Sequence, residues 1–116
     1  MKLKFSYKFR LEQRKDKKNG ELITSNVPII FDFSFDGKRL KFYTGYRIDV
    51  DKWDDVSQKV YKNNVNRSKI DSADINDRLD EITTIAKDIY KEAKALKFNP
   101  TLHYMRDELR KRLFDP

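Results

Sequence analysis

The chain has 116 residues, a formal net charge of +7, 39% charged and 13% aromatic residues, and no cysteine. That length holds one domain with at most the beginning of another, and the missing thiols exclude disulfides and thiolate metal sites. No apolar run approaches membrane-spanning length and the N-terminus lacks the apolar stretch of a secretory signal, so a soluble, cytoplasmic protein without a membrane partner is expected.

Residues 2–11 alternate apolar and polar, which predicts a first strand. Lys2, Lys4, Ser6, Lys8 and Arg10 fall on one face, and Leu3, Phe5, Tyr7, Phe9 and Leu11 on the other. Residues 13–21 read as a long polar hairpin loop with Asn19-Gly20 as its turn. A second strand runs from Val27 to Phe35, with Ile29, Phe31, Phe33 and Phe35 on one side and Ile30, Asp32 and Ser34 on the other. Asp36-Gly37 is a tight turn into a third strand, Arg39 to Thr44, which sets Arg39, Lys41 and Tyr43 opposite Leu40 and Phe42. Gly45 is expected to end that strand through a positive φ.

Trp53 is expected to plug one end of the core, its N–H needing a partner. Residues 57–73 show no apolar period and read as a connector. A long helix follows from about Asp74 to Leu96, capped by Asp71 or Ser72 and halted by Asn99-Pro100. Its stripe is Ile75, Leu79, Ile82, Ala86, Ile89, Ala93 and Leu96. Such a stripe also suits a coiled coil, but the phenylalanine face of the sheet would then be bare. A second helix, Thr101 to about Phe114, carries Leu102, Met105, Leu109 and Leu113 on one side. It either docks on the same domain or is the first helix of a following one, the second being preferred. The fold class is α+β: a three-stranded antiparallel sheet backed by one long helix, plus a short terminal helix.

Charge is unevenly placed: residues 1–50 hold 12 Lys/Arg against 6 Asp/Glu, whereas residues 51–116 hold 14 against 13. A sheet with one cationic and one apolar face suits a polyanion. Catalytic chemistry is absent from the pattern. His103 reads as a surface histidine without an acid or second ligand at helical spacing, and Asp49, Asp51, Asp54 and Asp55 lack the glycine and terminal glutamate of a calcium loop. No metal, cofactor or catalytic residue is assigned.

The segment Phe42-Tyr43-Thr44-Gly45 followed by Trp53-Asp54 resembles the N-terminal arm-type DNA-binding domain of bacterial tyrosine recombinases, the integrases of phages and conjugative transposons. The basic first strand, Pro28-Ile29, Asp36-Gly37-Lys38-Arg39 and Ile75-Asn76-Asp77-Arg78-Leu79 agree with it. The resemblance covers residues 1–97, and 98–116 look like the start of the helical core-binding domain that follows in such proteins. The basic loop 12–26 departs from it, being longer than in many relatives.

The resemblance implies a sheet laid into the major groove of double-stranded DNA, in a nucleoid-associated protein that partners other recombinase subunits. Strand cleavage would belong to a catalytic domain elsewhere. Projected onto this chain, the DNA-binding residues are Lys4, Ser6, Lys8, Arg10, Ser34, Arg39, Lys41, Tyr43 and Arg47. Ser34 and Ile30 are expected at base edges and a thymine methyl, while Asp32 pairs with Lys8 or Lys41 in preference to a cytosine amine. Arg14, Lys15, Lys17 and Lys18 are phosphate contacts, a basic tether or a solvated turn. The competing reading is a protein-interaction module that binds an acidic partner. A double-stranded RNA binder is less favoured, because the cations lie along strands.

Overall fold

Three strands form the antiparallel sheet that the alternation predicts, in a computed structural model that describes residues 3–114. They are β1 (Phe5–Leu11), β2 (Val27–Phe35) and β3 (Lys38–Ile48), in the order β1-β2-β3. Lys2 lies outside the described residues, and Leu3 and Lys4 precede the strand. The Asp36-Gly37 turn has positive φ at both residues (48° and 77°), the geometry that matches the twist of a two-residue hairpin.

Directly paired residues share a face, so the register places Phe5, Tyr7, Phe9 and Leu11 beside Phe35, Phe33, Phe31 and Ile29. Leu40 and Phe42 continue that face on β3. It is covered by α1 (Ser72–Ala95), whose Ile75, Leu79, Ile82, Ala86, Ile89 and Ala93 are fully buried. The stripe is thus spent inside the domain and not on a coiled coil. Asp71 caps the helix, accepting from the Ala73 N–H at 2.9 Å. Leu96 does not belong to the stripe. It is the C-cap and is 75% exposed, because the chain leaves the helix there. Phe98 N–H bonds to Ala93 O and Lys97 N–H to Lys94 O, with Lys97 left-handed at φ 61°, a Schellman ending.

Tyr90 rivets one end. Its hydroxyl accepts from the Lys4 N–H at 3.2 Å and donates to Asp36 Oδ1 at 2.7 Å, while its ring packs edge-on against Phe33 and Phe35. Lys94 pairs with the same carboxylate at 2.6 Å. Lys94 and Tyr90 together hold the Asp36 carboxyl below its usual range.

Gly45 does not end β3. The strand bulges there and continues to Ile48, because between the pairs Pro28–Arg47 and Ile30–Tyr43 three residues of β3 oppose Ile29 alone. Gly45 takes φ 88° in the bulge. The buried Thr44 hydroxyl repairs the ladder, donating to Ile29 O at 2.9 Å and accepting from the Tyr46 N–H at 3.2 Å.

The segment after β3 is more ordered than its lack of period suggests. A 3-10 turn (Val50–Lys52) leads into a two-stranded hairpin of β4 (Trp53–Asp54) and β5 (Lys59–Val60). Asn76 of α1 brackets Val60, accepting from its N–H at 2.8 Å and donating to its carbonyl at 3.0 Å. Buried Asn66 joins Arg47 O to the Ile70 N–H in the same way. Gln58, between β4 and β5, accepts from the outward-facing N–H of Phe9 at 2.7 Å. Trp53 does plug the core, but its buried indole N–H finds no acceptor among the described residues. Helix α2 (Leu102–Phe114) starts on the Thr101 cap and buries Met105, Leu109 and Leu113 in the same core.

Candidate nucleic-acid interface

The face of the sheet turned away from α1 is a grid of three rows. The register aligns Ser6, Ser34 and Arg39; then Lys8, Asp32 and Lys41; then Arg10, Ile30 and Tyr43. Seven of the nine residues expected to bind DNA stand in this grid. Lys4 lies at one end, lining a shallow groove with Ser6, Ser34 and Gly37, and Arg47 lies beyond the bulge beside Arg14 and Tyr43 at the other. Ser6, Lys8, Arg39, Lys41, Tyr43, Lys4 and Arg47 are exposed, while Arg10 and Ser34 are half-buried.

Two carboxylates organise these cations. Asp32 is paired, as expected, but with different partners. Arg10 Nε donates to its Oδ2 at 2.5 Å and Arg39 Nη2 at 3.4 Å, diagonally across the grid, while directly opposite Lys8 and Lys41 do not pair with it. Guanidinium forks reach a buried oxygen while keeping further N–H groups outward, which a lysine ammonium does less well. Asp32 is only 3% exposed, so a cytosine amine does not reach it while both arginines stay in place.

The second carboxylate is Glu12, just past the end of β1. It accepts from Lys41 Nζ, from the Tyr43 hydroxyl at 3.0 Å and from Arg14 at 2.9 Å. The Lys41 bond is the chief reason its carboxyl is lowered to about 2. These bonds carry Glu12 from the β1 side to β3, over β2, and they roof Ile30 in. Ile30 is fully buried, so it is not available to a thymine methyl. Around the face stand Lys4, Lys8, Arg10, Arg14, Arg39, Lys41 and Arg47, against Asp32, Glu12 and, at the Lys4 end, Asp36, which Lys94 and Tyr90 already hold, so cations outnumber carboxylates there.

Residues 9–103 match the family model described as the arm DNA-binding domain. The chain belongs to that family. It is therefore a DNA-binding module, and a non-catalytic one. Neither the curated proteins nor the solved structures give a match.

In this arm domain the basic loop is a hydrogen-bonded hairpin, with Lys15 bridged to Leu22 and Ile23 N–H bonded to Arg14 O. Lys15, Lys17 and Lys18 project from it into solvent. Glu12 was not singled out by the sequence, since it sits in a polar loop with partners 29 and 31 residues away. His103 does have an acid at helical spacing: Asp107, four residues on, at 2.9 Å. Both lie on exposed helix surface, and no group of three His, Cys, Asp or Glu among the described residues is placed to hold a metal. Asp54 accepts from the Val56 N–H and the Ser57 hydroxyl, which uses it to build the β4–β5 turn. No helix among the described residues is long and apolar enough to cross a membrane.

Proposed function

We propose that this arm domain recognises double-stranded DNA by sequence, laying the β1–β3 face into the major groove, as the N-terminal module of a site-specific tyrosine recombinase. The observation that carries this reading is the grid. Three strands about 4.8 Å apart put the outer strands about 10 Å from one another, and the major groove is about 12 Å wide. Cations stand on the outer strands, nearest the two phosphate backbones that border the groove. Of the central positions, half-buried Ser34 faces its floor, while Asp32 lies beneath the arginines it holds.

Arg10 and Arg39 have the strongest claim to base edges. Asp32 fixes both guanidinium groups, and an arginine so oriented suits the paired acceptors of guanine. Ser6, Ser34 and Tyr43 add hydroxyls to the same surface, while Lys4, Lys8, Lys41 and Arg47 suit phosphates. In the parent protein, residues 98–116 lead into a core-binding domain, other recombinase subunits bind adjacent sites, and the assembly works on nucleoid DNA in the cytoplasm.

Selection from a random duplex pool, followed by binding isotherms over a range of salt, tests this reading. A defined consensus is expected, with about six phosphates neutralised and a log–log salt slope of about −5. Recovery of no consensus, or an isotherm flat in salt, overturns it.

A further inference from the structure

The geometry points to a second DNA contact outside the sheet: Arg106 and Arg110 of α2 bind the phosphate backbone that runs along the outer edge of β3. This inference rests on the grid as the groove-facing surface and extends it to residues beyond the stretch that matches the family model, which ends at 103.

Helix α2 has two flanks. Its buried stripe is Met105, Leu109 and Leu113, and the residues one step on, Arg106, Arg110 and Phe114, share the side toward β3. There they line a groove together with Lys41, Phe42 and Tyr43. Lys41 and Tyr43 are members of the grid, so the groove opens directly from the proposed interface. The other flank is occupied: Arg112 pairs with Glu92 at 2.7 Å and with Glu108 at 3.4 Å, and Glu108 also meets Lys111. Asp107 is taken by His103. Among the described residues neither Arg106 nor Arg110 forms an ion pair.

Lys41 on the edge strand is already paired with Glu12, whereas Arg106 and Arg110 beside it have no ion pair among the described residues and add positive charge that a phosphate would offset. A sheet about 10 Å wide fills most of a groove about 12 Å wide, so whatever flanks β3 lies over a bordering backbone and not over bases. Four residues of helix rise about 6 Å, and phosphates of one strand advance about 3.4 Å each along the DNA axis. The two arginines are therefore separated by nearly two phosphate steps, enough for each to meet a different phosphate of one strand. The rings of Phe42, Tyr43 and Phe114 line the same groove, so the arginine stems have apolar surface beside them while the guanidinium groups can stay in water.

The test compares duplex binding by the full chain, read by fluorescence anisotropy over a salt series, with that of Arg106→Gln/Arg110→Gln. Glutamine keeps much of the stem packing, and a melting curve confirms that the variant folds. The double variant is expected to bind about tenfold more weakly at 0.1 M salt, with a salt slope shallower by about 2. Arg106→Lys/Arg110→Lys should keep the wild-type slope. Lys62→Gln/Lys91→Gln removes the same charge from outside the groove and should change affinity by less than about threefold. An Arg106/Arg110 loss no larger than that of this control overturns the inference while leaving the grid intact. A wild-type chain that fails to bind duplex overturns both.

Discussion

Glu12 and Lys41 meet across the width of the sheet, a carboxylate from beyond β1 reaching an ammonium on β3 with Ile30 sealed beneath. The contact makes the proposed DNA face a braced surface and not a set of free cations, and it gives that surface a pH signature.

Glu12 is lowered in the folded chain from 4.5 to about 2, chiefly by Lys41. A depressed carboxyl adds stability that is fully present above the unfolded value and is lost as pH falls through the folded one. Wild type should therefore be more stable than Glu12→Gln at pH 7, and the gap should close between about pH 4.5 and pH 2. Urea titrations of both proteins across that range check this. A constant gap down to pH 2 would show that Glu12 contributes by packing and not by charge.

Asp32 is the other brace, and Asp32→Asn separates its two effects. Loss of the charge-assisted bonds to Arg10 and Arg39 should cost about 2 kcal/mol of stability. Removing a negative charge from the face should tighten binding to random duplex, while the freed guanidinium groups discriminate less well. The ratio of selected-sequence to random-duplex affinity is therefore expected to fall. An unchanged ratio would place sequence reading elsewhere on the grid.

Arg39→Ala and Lys41→Ala each remove an exposed side chain whose carboxylate partner keeps other bonds, Asp32 to Arg10 and Glu12 to Tyr43 and Arg14. Each should weaken duplex binding roughly tenfold and shift Tm by no more than a few degrees. A large fall in Tm together with unaltered binding would reverse the assignment of the two faces.

Thr44→Val keeps the shape of a buried side chain and deletes its hydroxyl, stranding the Ile29 carbonyl inside the bulge. A loss of about 1–3 kcal/mol is expected in denaturant unfolding. Thr44→Ser should retain most of the stability. Equal losses from both would mean that the methyl group, not the hydrogen bond, holds the bulge.

The sheet and helices were legible because burial leaves a period in the sequence. Phe31, Phe33 and Phe35 recur every second residue, and Ile75, Leu79 and Ile82 follow the helical repeat, so faces and partners could be assigned from spacing. The candidate site was legible as a face for the same reason, but not as a network. Strand alternation sets Lys8 and Lys41 directly beside Asp32, yet arginine length and fork geometry decide in favour of the diagonal partners Arg10 and Arg39. The roof over Ile30 depends on Glu12, which lies in a loop where no period operates. The Gly45 bulge and the asparagine-built connector were hidden likewise, since side-chain bonds from Thr44, Asn66 and Asn76 replace the backbone ladder there.

Gln58 occupies the Phe9 amide on the free margin of β1. An open amide at that place would invite a foreign strand to zip on, the first step toward edge-to-edge aggregation. With it occupied, the margin of β1 offers a foreign strand one donor fewer, in the middle of the strand where pairing would begin.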